Sequence, residues 1–409
     1  MYLGNILIGV NDFVMIRSPH VHRHCISHDD LDGYGCSALV KLADLIYTKS
    51  TTSKSTDVTK LKVNPIHFHN ISKPSSIGSE IESIVEYELK NGFDKEHDIL
   101  FILITDIGAV NPQIFRDIND DGITCTYAVV DHHIKQYNGE SDELEIVVTP
   151  DNAISMTRGY YFVYNGLCAT YILNDIFERI FNINSELMIR SRFMDPTKQN
   201  NSDIAAMLIS SELPLRVKDC SECINRYDTG AWGDWHSGAL EDVSDDVKTQ
   251  LVFNFYKNHN ILDQFMDDLI SSLVDVKNES NWYQKWQEYT REEYISLMHA
   301  YNKFIEGSST FSVPPIVIGQ KIPHLSLDIN VGCGGLIYII NSEDDELDGY
   351  FSLISREAID KLKVDIVILV DNIDKTVSLR SGENGVNVEK IARANGGGGH
   401  IRAAGFPIC

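Results

Sequence analysis

Ser27-His28-Asp29-Asp30-Leu31-Asp32-Gly33-Tyr34-Gly35 sets an imidazole and two carboxylates, His28, Asp30 and Asp32, at alternate positions. In an extended segment, side chains two apart share a face. The apolar pair Cys25-Ile26 leads in, and Ala38, Leu39, Leu42, Leu45 and Ile46 follow at the spacing of an amphipathic helix. The cluster therefore reads as the loop between a strand and a helix. Imidazole with carboxylates suits a divalent ion such as Mn²⁺ better than a thiolate-seeking metal. The same residues also fit a solvated acidic turn in which Asp32 caps the helix, and this stretch alone leaves both readings open.

Two further strands end in similar chemistry. Ile99-Leu100-Phe101-Ile102-Leu103-Ile104 is a continuous apolar run that stops at Thr105-Asp106. Such a run fits a strand buried on both faces of a parallel sheet. Tyr127-Ala128-Val129-Val130 is another, and it stops at Asp131-His132-His133. Open α/β sheets bind ligands at the carboxyl ends of their strands. Three strands ending in acids and histidines thus point to one shared site. Around them, Lys62–His69 reads as a strand and Ile77–Leu89 and Gly166–Ile176 as helices. His20, His22 and His24 alternate and read as one polar face of a strand. Cys220 and Cys223 stand without a second pair and read as unlinked helix cysteines. Asp228 follows an irregular region, with nothing in its spacing to mark it.

The chain has 409 residues, enough for two or three domains, with 43% hydrophobic and 23% charged residues. No apolar stretch near the C-terminus is long enough to span a bilayer, and Met1-Tyr2-Leu3-Gly4 does not resemble a secretory signal. The eight cysteines are scattered rather than patterned, which fits a cytoplasmic protein without disulfides. A formal net charge of −24 argues against sliding along long duplexes and against a membrane surface. It leaves room for a small anionic substrate whose charge a metal and a few arginines would meet.

From about Leu240 to Glu306, acids mix with aromatics at helical spacing: Phe253 with Tyr256, then Trp282, Trp286 and Tyr289. This predicts two or three helices with an aromatic core. Strands are expected at Ile316–Gly319, Leu336–Ile340, Tyr350–Ile354, Ile366–Val370 and Thr376–Arg380, and a helix at Val388–Ala394 capped by Asn387. Close to the C-terminus, Gly396-Gly397-Gly398-Gly399-His400-Ile401-Arg402 reads as an anion-binding loop, since glycines let backbone amides approach a ligand.

Taken together, the metal loop at 28–33, Asp106, the Asp131-His132-His133 triplet, Asp228-Thr229, Ser378–Ser381 and Gly396–Gly405 resemble the DHH phosphoesterase superfamily, in the branch with a type 1 DHH-associated C-terminal domain. The compact loop and the chain size are most similar to bacterial nanoRNases. The resemblance implies an α/β fold with an open parallel-sheet DHH catalytic domain at 1–239 and a helical connector at 240–309. A smaller α/β DHH-associated substrate-binding domain would follow at 310–409, with the active site in the interdomain cleft. It implies a manganese-dependent exonuclease hydrolysing short oligoribonucleotides to mononucleotides, with water activated between two Mn²⁺ ions. His28, Asp30 and Asp106 would hold one ion, and Asp32, Asp106, His132 and Asp228 the other. Asp131 would orient a histidine and His133 would meet the scissile phosphate. Ser378, Arg380, Ser381, Gly397, Gly398, Gly399 and His400 would grip the substrate's end. Short RNAs or small nucleotides are the implied partners, with a homodimer as one option. Two alternatives stand beside this: a hydrolase of 3′-phosphoadenosine 5′-phosphate or cyclic mono- and dinucleotides, and a catalytically silent nucleotide-binding module.

Overall fold

A computed structural model describes residues 10–52, 64–132, 159–178, 213–274, 286–308, 337–342, 350–371 and 375–407, with short gaps inside these ranges. Contacts divide the chain into two units, 1–232 with 256–286, and 233–255 with 287–409. No helix among the described residues is long and apolar enough to cross a membrane.

The first unit is built on five parallel strands: β1 (Val21–His28), β2 (Ile66–Ile71), β3 (Ile99–Thr105), β4 (Thr124–Asp131) and β5 (Gly159–Val163), in the order β2-β1-β3-β4-β5. Parallel neighbours require crossovers. Those described are α1 (Leu31–Thr52), α2 (Ile77–Lys90) and α3 (Gln113–Asp120). One face of the sheet is sealed by α2 and α3. Ile81 and Ile84 of α2 and Phe115 of α3 pack on Ile26, Ile102, Ile104 and Val129, all buried. Phe115 stacks on Tyr127 with ring centroids 3.7 Å apart. Sequence reading had no α3, because only Phe115 and Ile118 of its eight residues are buried. The continuous apolar run of β3 is covered on both sides, as its composition requires.

On the other face α1 contacts β1, α5 (Leu213–Asp228) and α7 (Leu262–Val274); between β5 and α5 lies a further helix, α4, at 169–178. Gly35 allows the approach of α1 to α4. A side chain there would press on Thr170 Oγ1 at 2.5 Å and on Ile224 Cδ1 of α5 at 2.9 Å. The stretch expected to hold two or three helices has α6 (Asp245–Asn258), α7 and α8 (Gln287–Ser308). Its aromatics are core: Phe253, Tyr256 and Trp286 are buried, and Trp286 Nε1 donates to Tyr256 Oη at 3.1 Å. Trp282 lies outside the described residues.

The second unit carries β6 (Ile337–Ser342), β7 (Ile366–Asp371), β8 (Thr376–Ser381), β9 (Gly398–Gly399) and β10 (Ala403–Pro407) in the order β6-β7-β8-β10-β9. Only β6 and β7 run parallel. Residues 350–354, expected as a strand, instead open a helix, α9 (Phe351–Leu362). Phe351, Ile354 and Ala358 are buried at helical spacing, and that period, visible only over the longer window, overrides the local β-propensity. The helix α10 (Val388–Ala394) is capped as expected, the Asn387 side chain accepting from Lys390 N at 3.2 Å. The strand expected at 316–319 lies outside the described residues.

Candidate metal centre

The strand order reverses direction between β1 and β3, so their carboxyl ends flank the crevice where open sheets bind ligands. Register pairs Ser27 with Thr105 and Thr105 with Val130, which places His28, Asp106 and Asp131 side by side beyond the strand ends.

His28 closes β1 and Asp30 starts α1. The Asp30 carbonyl accepts Tyr34 N at 3.0 Å, while its Oδ1 accepts Gly33 N at 3.0 Å. Asp30, not Asp32, is therefore the cap of this helix. The cap turns the chain, so His28, Asp30 and Asp32 do not share the face of one extended segment. The other oxygen of Asp30 lies 2.7 Å from His28 Nδ1. Desolvation opposes ionisation of Asp30. Its hydrogen bond and charge attraction to His28, with the Gly33 amide, overcome it and hold the carboxyl below the usual range. His28 is likewise desolvated, and the same partner carries its imidazole above the ordinary value. Gly33 cannot carry a side chain. A Cβ there would stand inside the van der Waals shell of the His28 carbonyl oxygen, 2.7 Å from its carbon and 2.8 Å from its nitrogen.

Asp32 is buried and faces away from its own helix start. Its two oxygens accept Ala169 N and Thr170 N, each at 2.8 Å, and Thr170 Oγ1 donates to the Asp32 carbonyl at 2.7 Å. One side chain of α1 thus caps α4. Asn225 of α5 ties the same corner, its Oδ1 accepting Cys168 N at 2.7 Å. Neither Asn225 nor Thr170 has a sequence signal, because their partners are distant in the chain.

Asp106 is buried and has φ +56°, in the left-handed region. Its amide donates to Val130 O at 2.9 Å, so β4 holds that conformation. Its Oδ1 lies 3.0 Å from His132 Nε2, and its Oδ2 is buried with no hydrogen-bond partner among the described residues. His132 Nδ1 lies 3.5 Å from Asp228 Oδ2 at the end of α5, and Asp131 Oδ1 accepts the His132 amide at 2.8 Å. Burial first, then Asp30, Asp32, Asp228 and Asp131, push the Asp106 carboxyl well above the usual carboxylate range.

Among the described residues there are three sets whose ligand atoms lie within 4.8 Å of one another: His28, Asp30 and Asp106; Asp32, His132 and Asp228; and Asp106, Asp131 and His132. Asp106 belongs to two of them. The donors are oxygen and imidazole nitrogen. The nearby Cys36 and Cys168 thiols are pushed well above their ordinary values, by burial first and Asp32 next, and stay protonated. A buried carboxylate oxygen without a donor, among four other acids, fits a hard divalent cation. His133 lies outside the described residues.

In the second unit, Ser378, Arg380 and Ser381 lie on β8. The Arg380 guanidinium donates through Nε and Nη2 to Ser352 Oγ at 3.3 and 2.9 Å, and stands 5.3 Å above the Phe351 ring. The glycines divide. Gly396, φ +80°, closes α10, with Gly396 N bonded to Arg393 O and Gly397 N to Ala392 O at 2.8 Å. A Cβ on Gly397 would lie 2.6 Å from Phe406 Cα, and one on Gly399 would lie 2.6 Å from Ala403 O. Only Gly398 has open space where a side chain would go and no positive φ. Three of the four glycines thus have a reason within the fold itself. His400 lies outside the described residues.

No family model and no curated protein matches the sequence. Solved structures do. The DHH domain of a member of a family of ribosomal proteins aligns over 98% of this chain and 84% of that one, at 13% identity and a TM-score of 0.52. RecJ in complex with Mn²⁺, from Thermus thermophilus, aligns over 98% of this chain at 12% identity and TM-score 0.45; the chain spans 52% of its length. A pGpG-specific phosphodiesterase from Vibrio cholerae aligns over 95% of this chain and 93% of its own, at 12% identity and TM-score 0.37.

Proposed function

We propose, for a chain that carries the DHH-domain fold, a metal-dependent phosphoesterase that hydrolyses short oligoribonucleotides to mononucleotides and works best with Mn²⁺. The observation that carries this reading is Asp106, a member of two potential ligand sets, whose buried Oδ2 has no hydrogen-bond partner among the described residues. On this reading His28, Asp30 and Asp106 hold one ion, and Asp32, Asp106, His132 and Asp228 a second. When bound, such ions lower the pKa of a coordinated water and neutralise charge growing on a phosphoryl group. The remaining work belongs to the chain. Asp30 braces the His28 imidazole, as metal-bound histidines require of their neighbours, and Asp131 accepts the backbone amide of His132, which steadies the chain that carries that ring. Asp32, clamped by two amides, offers its remaining lone pairs in a fixed direction. His133 meets the scissile phosphate. Residues 1–239 form the catalytic domain, 240–309 the connector and 310–409 the substrate-binding domain, in the cytoplasm. The test is turnover of labelled short RNAs, cyclic dinucleotides and 3′-phosphoadenosine 5′-phosphate. Activity on the short RNAs should vanish on chelation and return more fully with Mn²⁺ than with Mg²⁺ or Zn²⁺. Activity that survives exhaustive chelation, or is confined to the small nucleotides, would overturn it.

Ser378, Arg380, Ser381, Gly397, Gly398, Gly399 and His400 grip the substrate's end on this reading. The Arg380 guanidinium is already oriented by Ser352 and Phe351. A charge-assisted hydrogen bond to phosphate is worth roughly 1.5–3 kcal/mol. Arg380→Ala should therefore cost about ten- to a hundredfold in kcat/KM on a dinucleotide. It should cost far less on a chromogenic phosphodiester with no terminal phosphate, and leave metal content unchanged. Equal losses on both substrates would show that Arg380 does not read the substrate's end.

A further inference from the structure

The alternating histidines of β1 do not face solvent. His24 is buried and His22 nearly so, against α2 and against a second alternating pair, His67 and His69, on β2. Their ring nitrogens join carboxylates in one unbroken series. Glu80 Oε1 lies 2.8 Å from His69 Nδ1, and His69 Nε2 lies 3.0 Å from His24 Nδ1. His24 Nε2 lies 2.8 Å from Glu88 Oε1, whose Oε2 lies 2.5 Å from His22 Nδ1. His22 Nε2 lies 3.4 Å from Asp98 Oδ2, and Asp98 Oδ1 lies 2.8 Å from His20 Nδ1. None of these groups belongs to the metal centre.

The protons can be counted. Glu80 and Glu88, ionised, supply none, so the contacts Glu80–His69, His69–His24 and His24–Glu88 each draw one proton from the two rings. Two neutral imidazoles carry two ring protons and two imidazoliums carry four. The geometry needs three. The pair therefore shares a single positive charge between two carboxylates. A fourth proton would set N–H against N–H across 3.0 Å, replacing a hydrogen bond by repulsion in a desolvated space.

The other groups around the pair set the direction of the response. The His67 ring stacks on His24 at 5.1 Å, with Tyr87 of α2 at its edge, and Phe93 lies 5.0 Å from His22. Asp94 donates its amide to Asp98 Oδ2 at 2.8 Å and pairs with His97. Burial first, and the charge on His24 next, hold both His67 and His69 below the ordinary histidine range. The unfolded chain therefore takes up these protons first. With one proton kept by the folded pair against none to two in the unfolded chain, the contact is strongest near the ordinary histidine value of about 6.5 and weakens as the pH falls below it.

We infer that the His24–His69 pair is a pH-sensitive latch, which holds edge strand β2 to β1 by one shared proton and releases it when acid supplies a second. Among the described residues β2 is the end strand of its sheet, paired with β1. Its Ile71 carbonyl accepts Asp29 N at 3.1 Å, so a loosened β2 also releases the loop that carries His28 and Asp30.

The latch is tested on the full chain without metal, substrate or turnover, so its failure and that of the phosphoesterase reading are distinguishable. Nitrogen-15 NMR of the imidazoles at pH 7.5 should find one positive charge across His24 and His69. Amide exchange, corrected for its intrinsic pH dependence, should accelerate at least tenfold in 66–71 between pH 6.5 and 4.5, with 99–105 unchanged. In His69→Gln that acceleration should disappear. Two neutral rings at pH 7.5, equal acceleration in 99–105, or acceleration that persists in His69→Gln would each overturn the inference. If His69→Gln does not fold, the ring charges and exchange of the unaltered chain decide it.

Discussion

Asp106→Asn is expected to lose at least about a thousandfold in kcat/KM, beyond the 10–100-fold typical of an outer-shell partner of a metal ligand. Asp106 shares a set of potential ligand atoms with His28 and Asp30, and its Oδ1 lies 3.0 Å from His132 of the set with Asp32 and Asp228, so on the proposed assignment one substitution touches both ions. Asn is the informative replacement because it tolerates the left-handed backbone, φ +56°, that Ala resists. The loss then reports charge and not misfolding. The metal-free proteins should differ in the opposite sense. Burial and four neighbouring acids raise the Asp106 carboxyl well above its usual value. A carboxyl whose folded pKa is raised costs the fold more as pH climbs from the unfolded value of about 3.9 through the folded one. At neutral pH, metal-free Asp106→Asn should therefore melt above the unaltered chain, and Mn²⁺ should then stabilise the unaltered chain more than the variant. Thermal melts across a Mn²⁺ titration check both signs. Equal stabilisation of the two proteins would mean that Asp106 does not hold metal.

Gly33→Ala is expected to cost about 1–3 kcal/mol of stability and at least a hundredfold in turnover, although it alters no charged group. The added methyl would meet backbone atoms of His28, which cannot rotate aside as a side chain can. Relief requires the strand end and the helix start to separate. That movement breaks the Gly33 N–Asp30 Oδ1 bond at 3.0 Å and displaces His28 from Asp30. The effect should fall first on the ion assigned to His28 and Asp30, read as a weakened first site in a metal titration. Gly78→Ala is the matched control. Its Cβ meets only Ile114 Cδ1, at 3.8 Å, within a helix where Ala is favoured over Gly by roughly 0.5–1 kcal/mol. It should stabilise slightly and leave turnover unchanged. An active, normally stable Gly33→Ala would show that the junction of β1 and α1 is not rigid.

The apolar run 99–104 and the alternation of strands with helices determine a parallel sheet, because a strand buried on both faces has no other home. Strand-terminal placement of His28, Asp106 and Asp131 was legible for the same reason: the apolar runs stop where those residues begin. The interactions those side chains make were not. The reading of Asp32 as a cap was right in kind and wrong in object, since it caps a helix 137 residues away in sequence. Residues 350–354 read locally as a strand and fold as a helix because the period that decides it extends to Ala358. The four terminal glycines read alike, yet backbone geometry leaves only Gly398 without a reason in the fold. The histidines of β1 read as a polar face. Only the register His24↔His67, set by strand pairing, with α2 laid over it, turns them into a buried proton-sharing series. Local pattern determines which residues end a strand or line a face. Which of them meet, and which protons they must share, depends on partners far apart in the chain, and only tertiary packing decides that.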